Sequence, residues 1–205
     1  MQERFITAEK YDKLFVYERL SGEDSPKGEK MKKLQKITTV FMILAAMTAT
    51  MFGCTMSPQK QAFRDYSRSL QSDSEYWNTI SEASNNMNTN DLTSAKAVIQ
   101  ASIIPNLEKI ESNAVARNSA ITDPELQQVD AEYVKCIQNL KQGYKLILEG
   151  INEQSQTKVQ TAIVNIQTAV NNMKDYVRGM KSYMNKYGIK TDDSMDDILD
   201  KLNSF

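Results

Sequence analysis

The sequence predicts an all-α protein: an antiparallel up-down four-helix bundle with a short C-terminal helix, preceded by one apolar helical segment. Three observations predict it. Seven Gly and four Pro in 205 residues are too few for the many turns of an all-β chain. Val159, Ile166, Met173, Met180 and Tyr187 form one seven-residue series, and Ile163, Val170, Val177 and Met184 form a second. Interlocking heptad series of that length specify a long helix with a coiled-coil-like seam. Finally, residues 55–205 hold no strand-like alternation of useful length.

The first helix opens at Ser57-Pro58, with serine as N-cap and proline at the first helical position. It carries Phe63, Tyr66, Leu70, Trp77, Ile80, Ala83 and Met87 on one side, and Asn85 to Asn90 form a polar break. The second helix begins near Asp91 and turns Leu92, Ala95, Val98, Ile99, Ile103, Leu107, Ile110 and Ala114 inward. Pro105 lies inside it and predicts a kink or a split, because proline has no N–H for the helical ladder. Asp123-Pro124 repeats the capping signal, and Glu125 adds favourable negative charge to the first turn. The third helix presents Leu126, Tyr133, Leu140 and Ile147 at seven-residue spacing, with Val129, Ile137, Tyr144 and Ile151 alongside. The fourth is the heptad helix, which Gly188 is placed to end. A short acidic helix, Asp192 to Leu202, closes the chain.

Ahead of the bundle, Met31 to Cys54 reads MKKLQKITTVFMILAAMTATMFGC. Lys32, Lys33 and Lys36 lead into a charge-free run, Ile37 to Gly53, that stops at the cysteine. Positive residues, a short apolar segment and a small-residue exit are the layout of an export signal. The run has 17 residues, about 26 Å as a helix. That is the lower limit for spanning a bilayer, and four threonines weaken it further as an anchor. A signal over residues 31–53, cleaved between Gly53 and Cys54, is the expectation, with a permanent anchor as the alternative. Residues 1–30 are polar and mixed in charge, and they stand where such signals have nothing. Either they are a cytoplasmic tail ahead of an uncleaved anchor, or translation starts at Met31. The codons open to Lys27-Gly28-Glu29-Lys30 can spell a purine-rich ribosome-binding sequence, which favours the second.

Composition removes several function classes. The chain has no histidine, which excludes Ser-His-Asp and Cys-His catalysis, histidine metal sites and the usual near-neutral pH switch. Residues 55–205 carry 16 Lys+Arg against 19 Asp+Glu, so there is no basic footprint for nucleic acid. The only cysteines are Cys54 and Cys136, too few for a disulfide framework. Cys136 shares a stripe with Gly143 and Gly150, where small residues let a neighbouring helix approach. Asp192, Asp193, Asp196, Asp197 and Asp200 lack the spacing of a calcium loop and suit a helix start on dipole grounds. Tyr76, Trp77 and the tyrosines at 133, 144, 176, 183 and 187 fall mostly at core or seam positions. No catalytic residue, metal ligand or cofactor site is legible.

The signal region, with Gly53 and Cys54 at its end, resembles the lipobox of bacterial lipoproteins. Met51 is an accepted substitute for leucine there, while Phe52 occupies a position usually held by a small residue. The body, in ITDPELQQVDAEYVKCIQNLKQGYKLILEGIN and YMNKYGI, is similar to small helical envelope lipoproteins of low-GC Gram-positive bacteria whose role is unknown. The resemblance implies a diacylglycerol on the Cys54 thiol and attachment to membrane lipid at the extracytoplasmic face. It divides the chain into a leader (1–30), a signal or anchor (31–53) and an extracytoplasmic bundle (54–205). The expected function is a non-enzymatic binding or scaffolding module of the cell envelope, with a protein partner there. The alternative is a single-pass membrane protein whose external four-helix domain resembles the sensory domains of chemoreceptors.

Overall fold

The computed structural model describes residues 57–88, 91–190 and 194–203 of the chain, and the described residues are all-α, with no strand. The signal or anchor segment, Gly53 and Cys54 lie outside them. No helix among the described residues is long and apolar enough to cross a membrane.

Helix α1, Pro58–Leu70, passes through a single 3₁₀ turn at Gln71–Asp73 into α2, Ser74–Asn86. Ser57 caps α1 through its hydroxyl, which accepts from the Lys60 N–H at 3.4 Å, and Pro58 takes the first turn, as the sequence predicts. Helix α3, Leu92–Val98, is capped by Asp91 and leads through a wide π turn at Ile99–Ile103 into α4, Ile104–Ala120. The disturbance expected from Pro105 is thus a π turn placed just before it. The Ile104 N–H reaches Ile99 O, and the Asn106 side-chain amide donates to Ser102 O at 2.7 Å. A proline without its N–H leaves carbonyls to satisfy by such routes.

Helix α5 spans Pro124–Glu153 and α6 spans Gln156–Lys186. They are joined by Gln154, in the left-handed region at φ 54°, and Ser155, which caps α6. With so short a turn α6 folds back along α5, and this is the most extensive helix pair. Helix α4 likewise runs back along α5, pinned at successive levels by Asn118–Gln127, Glu111–Lys141 and Glu108–Lys145. The end of α6 is a Schellman motif. Ile189 N–H returns to Met184 O at 2.8 Å and Gly188 N–H to Asn185 O at 3.3 Å, with Gly188 at φ +59°. Helix α7, Ser194–Asn203, packs back on α6 through the buried Met195, Ile198 and Leu202.

The predicted apolar stripes form one continuous core, from Phe63 and Trp77 through Leu107, Leu140 and Tyr144 to Met173 and Met180. One expectation fails. Ile163, assigned to the inner seam of α6, is 38% exposed. Its seam begins lower because Gly143 and Gly150 draw α6 close to α5. A Cβ at Gly143 would meet Ile166 and Ala162 O, and one at Gly150 would meet Val159. Contact therefore runs through Val159, Ala162 and Ile166, and Ile163 turns to solvent.

Candidate functional site

Three charged residues interrupt the core, and each comes from a different segment. Asp73 ends the 3₁₀ turn, Arg117 sits in the last turn of α4 and Asp130 lies near the start of α5. Their exposures are 1%, 7% and 0%. Residues of these types are almost never fully buried unless paired, because stripping water from a charge is costly.

The pairing is specific. Arg117 Nη1 donates to Asp73 Oδ2 at 2.9 Å, and Arg117 Nε donates to Asp130 Oδ1 at 3.3 Å. Asn113, one helical turn before Arg117, donates its amide to Asp73 Oδ1 at 2.9 Å. The Tyr66 hydroxyl donates to Asp130 Oδ1 at 2.8 Å and lies 2.8 Å from the Tyr176 hydroxyl. An ionised carboxylate only accepts, so the single Tyr66 proton goes to Asp130 and Tyr176 donates to Tyr66. The guanidinium lies over two rings, 5.6 Å from the Tyr66 centroid and 5.1 Å from that of Tyr133. Tyr133 in turn packs against Tyr176 and accepts from Trp77 Nε1 at 3.0 Å. Five α-helices and the 3₁₀ turn therefore contribute to the network around one arginine. A planar fork with five donors and two faces is suited to that position, and a lysine could not replace it.

The electrostatics follow from one cation between two carboxylates. Burial opposes the charge on Arg117, and the groups around it (Tyr66, Asp130, Tyr133 and Asp73) more than offset that, so the guanidinium stays charged. Burial pushes the Asp130 carboxyl above its ordinary value, against the pull of Arg117 and the Tyr66 hydrogen bond. Burial likewise raises Tyr66, Tyr133 and Tyr176, which keeps their phenols protonated at neutral pH. Asp73, Arg117, Asp130 and the three tyrosines are all buried, so the arrangement ties helices together inside the core.

The residues singled out from the sequence are distributed as follows. Cys54 and Gly53, the lipid attachment and cleavage positions, lie outside the described residues, as do Asp192 and Asp193. Cys136 is buried, with its thiol pushed up by desolvation. Asp196 pairs with Lys181, and among the described residues no group of three or more His, Cys, Asp or Glu is arranged to hold a metal ion. Trp77, Tyr133, Tyr144, Tyr176 and Tyr183 are core residues, while Tyr76 and Tyr187 are half-buried. The Asp73–Arg117–Asp130 network was not singled out, although each of its members occupies a core slot in its helix. No family model matches this chain, and neither a curated protein nor a solved structure matches it.

Proposed function

We propose that this protein is a membrane-tethered lipoprotein of the extracytoplasmic face, attached through Cys54, with an antiparallel up-down four-helix bundle as a non-enzymatic binding or scaffolding module of the cell envelope. The observation that carries this reading is how close Cys54 lies in sequence to the cap of the first helix. Ser57 is already hydrogen-bonded into the first turn of α1, only three residues after Cys54. A lipid on Cys54 would thus continue directly into a folded domain. The central network supports a rigid module as well, because its three charges are committed to one another across three segments and Tyr66 ties in a fourth. Two or more acyl chains give stable anchoring, at about 0.8 kcal/mol for each buried methylene.

Intact mass of the protein extracted from membranes tests the proposal. The expected species begins at Cys54 and carries a diacylglycerol adduct. An unmodified chain of 23.3 kDa would refute it and return the single-pass reading.

A further inference from the structure

One end of the molecule gathers three segments that are far apart in sequence: the start of α1, the α4–α5 turn and the end of α6. The Tyr183 hydroxyl donates to Gln59 O at 3.2 Å. Lys186 Nζ and the Tyr187 hydroxyl both donate to Glu125 Oε2, at 2.6 and 2.8 Å. These contacts fix the first turn of α1 to the ends of α5 and α6. The opposite end holds the Gln154–Ser155 turn, where Lys158 bridges Glu149 and Glu153. Helix α5 runs between the two ends, and its 30 residues measure about 45 Å.

We propose that the end built from Ser57–Gln61, Ile121–Glu125 and Lys186–Lys190 lies against the lipid surface, and that the end bearing Asn86 and Gln154 projects away from it by about the length of α5. This rests on the lipid-tether reading. Three peptide steps separate Cys54 from Ser57, and they reach at most about 11 Å when fully extended. That is roughly a quarter of the α5 length. Ser57 itself has no slack, because it is the cap of α1, and α1 is bonded to the rest of this end. The short tether therefore holds one end of an elongated body at the headgroups and leaves the other for partners in the envelope.

The test uses the full chain, purified from membranes and returned to phospholipid vesicles containing an energy-transfer acceptor lipid. Thr122→Cys and Asn86→Cys each place one exposed thiol, at the near and far ends respectively, for a donor fluorophore. Cys136 is buried and does not compete for label. Transfer from position 122 is expected to exceed transfer from position 86 several-fold. Equal or reversed transfer would overturn the orientation, and a diacylated Cys54 by intact mass would show that the tether reading survives. An unmodified mass would overturn both. A flexible Gly/Ser spacer of about 20 residues inserted after Cys54, with a mean span of about 25 Å, should bring the two signals together. An undiminished difference would refute the short tether as the cause.

Discussion

Replacing Arg117 with methionine is the sharpest probe of the core. Arg117→Met keeps much of the side-chain volume and removes the cation that, among the described residues, pairs with both Asp73 and Asp130. Two carboxylates at 1% and 0% exposure are then left without their counter-charge. Removing one partner of a buried ion pair costs about 3–5 kcal/mol, chiefly through the charge left behind. Against a typical stability of about 5–15 kcal/mol, that is a large fraction, and it corresponds to a melting temperature lowered by roughly 6–20 °C. The loss has a pH signature. Burial already raises Asp130, and without Arg117 the opposing pull is gone, so its folded-state value rises further above the unfolded value of about 3.9. A carboxyl raised on folding binds its proton more readily in the folded state. Its contribution is fully present below the unfolded value and is lost as pH rises through the folded one. The deficit of Arg117→Met relative to the parent should therefore shrink between pH 7 and pH 5, as measured by denaturant unfolding followed by circular dichroism. A triple variant, Asp73→Leu with Arg117→Met and Asp130→Leu, leaves no buried charge and should recover most of the loss, short of the acceptors that Asn113 and Tyr66 would lack. A single variant within about 1 kcal/mol of the parent, or a deficit that grows on acidification, would refute this reasoning.

Four further outcomes are expected. Gly143→Ala would set a methyl 2.5 Å from Ile166 Cγ1 and 3.2 Å from Ala162 O, costing about 1–3 kcal/mol of stability by denaturant titration. Gly179→Ala meets only the Val129 side chain, at 3.1 Å and beyond, and gains about 1 kcal/mol of helix propensity, so it should match or exceed the parent in the same titration. Asp123→Ala removes the cap bonded to the Leu126 N–H and should cost about 1 kcal/mol, detected as a lower unfolding midpoint with an unchanged slope. The Cys136 thiol should react with a soluble alkylating reagent only through unfolding, slower than a free thiol by a factor on the order of 10³ or more, and faster in Arg117→Met; rapid native-state alkylation would contradict its burial.

Much of the architecture was legible because local chemistry and pattern agree. Ser57, Asp123 and Gly188 act as the caps that their residue types suggest, and most of the heptad positions of α5 and α6 are core. Two features needed more than the pattern of apolar residues. Ile163 fits the seam by spacing, but the close approach allowed by Gly143 and Gly150 rotates the contact away from it. The central network was hidden by reading stripes for apolar residues alone. Phe63, Tyr66, Leu70, Asp73, Trp77 and Ile80 alternate steps of three and four, as do Leu107, Ile110, Ala114 and Arg117, and Asp130 sits between Leu126 and Tyr133. Two acids and one base in core slots of three segments are a signal of internal pairing. Which level of each helix meets which is set by turn lengths and packing, and no single stripe carries that information.

The wide turn at Ile99–Ile103 sets the rotational phase of the helix on either side of it. Ala95, Ile99, Ile103 and Leu107 are all core residues separated by successive steps of four. On a regular helix each such step overshoots the core direction by about 40°, so the stripe would wind away from its partners within three steps. One surplus residue absorbed in a π turn cancels that drift. The π turn thus keeps the core residues before it in phase with those after it, so that Ala95 and Leu107 face the same interior.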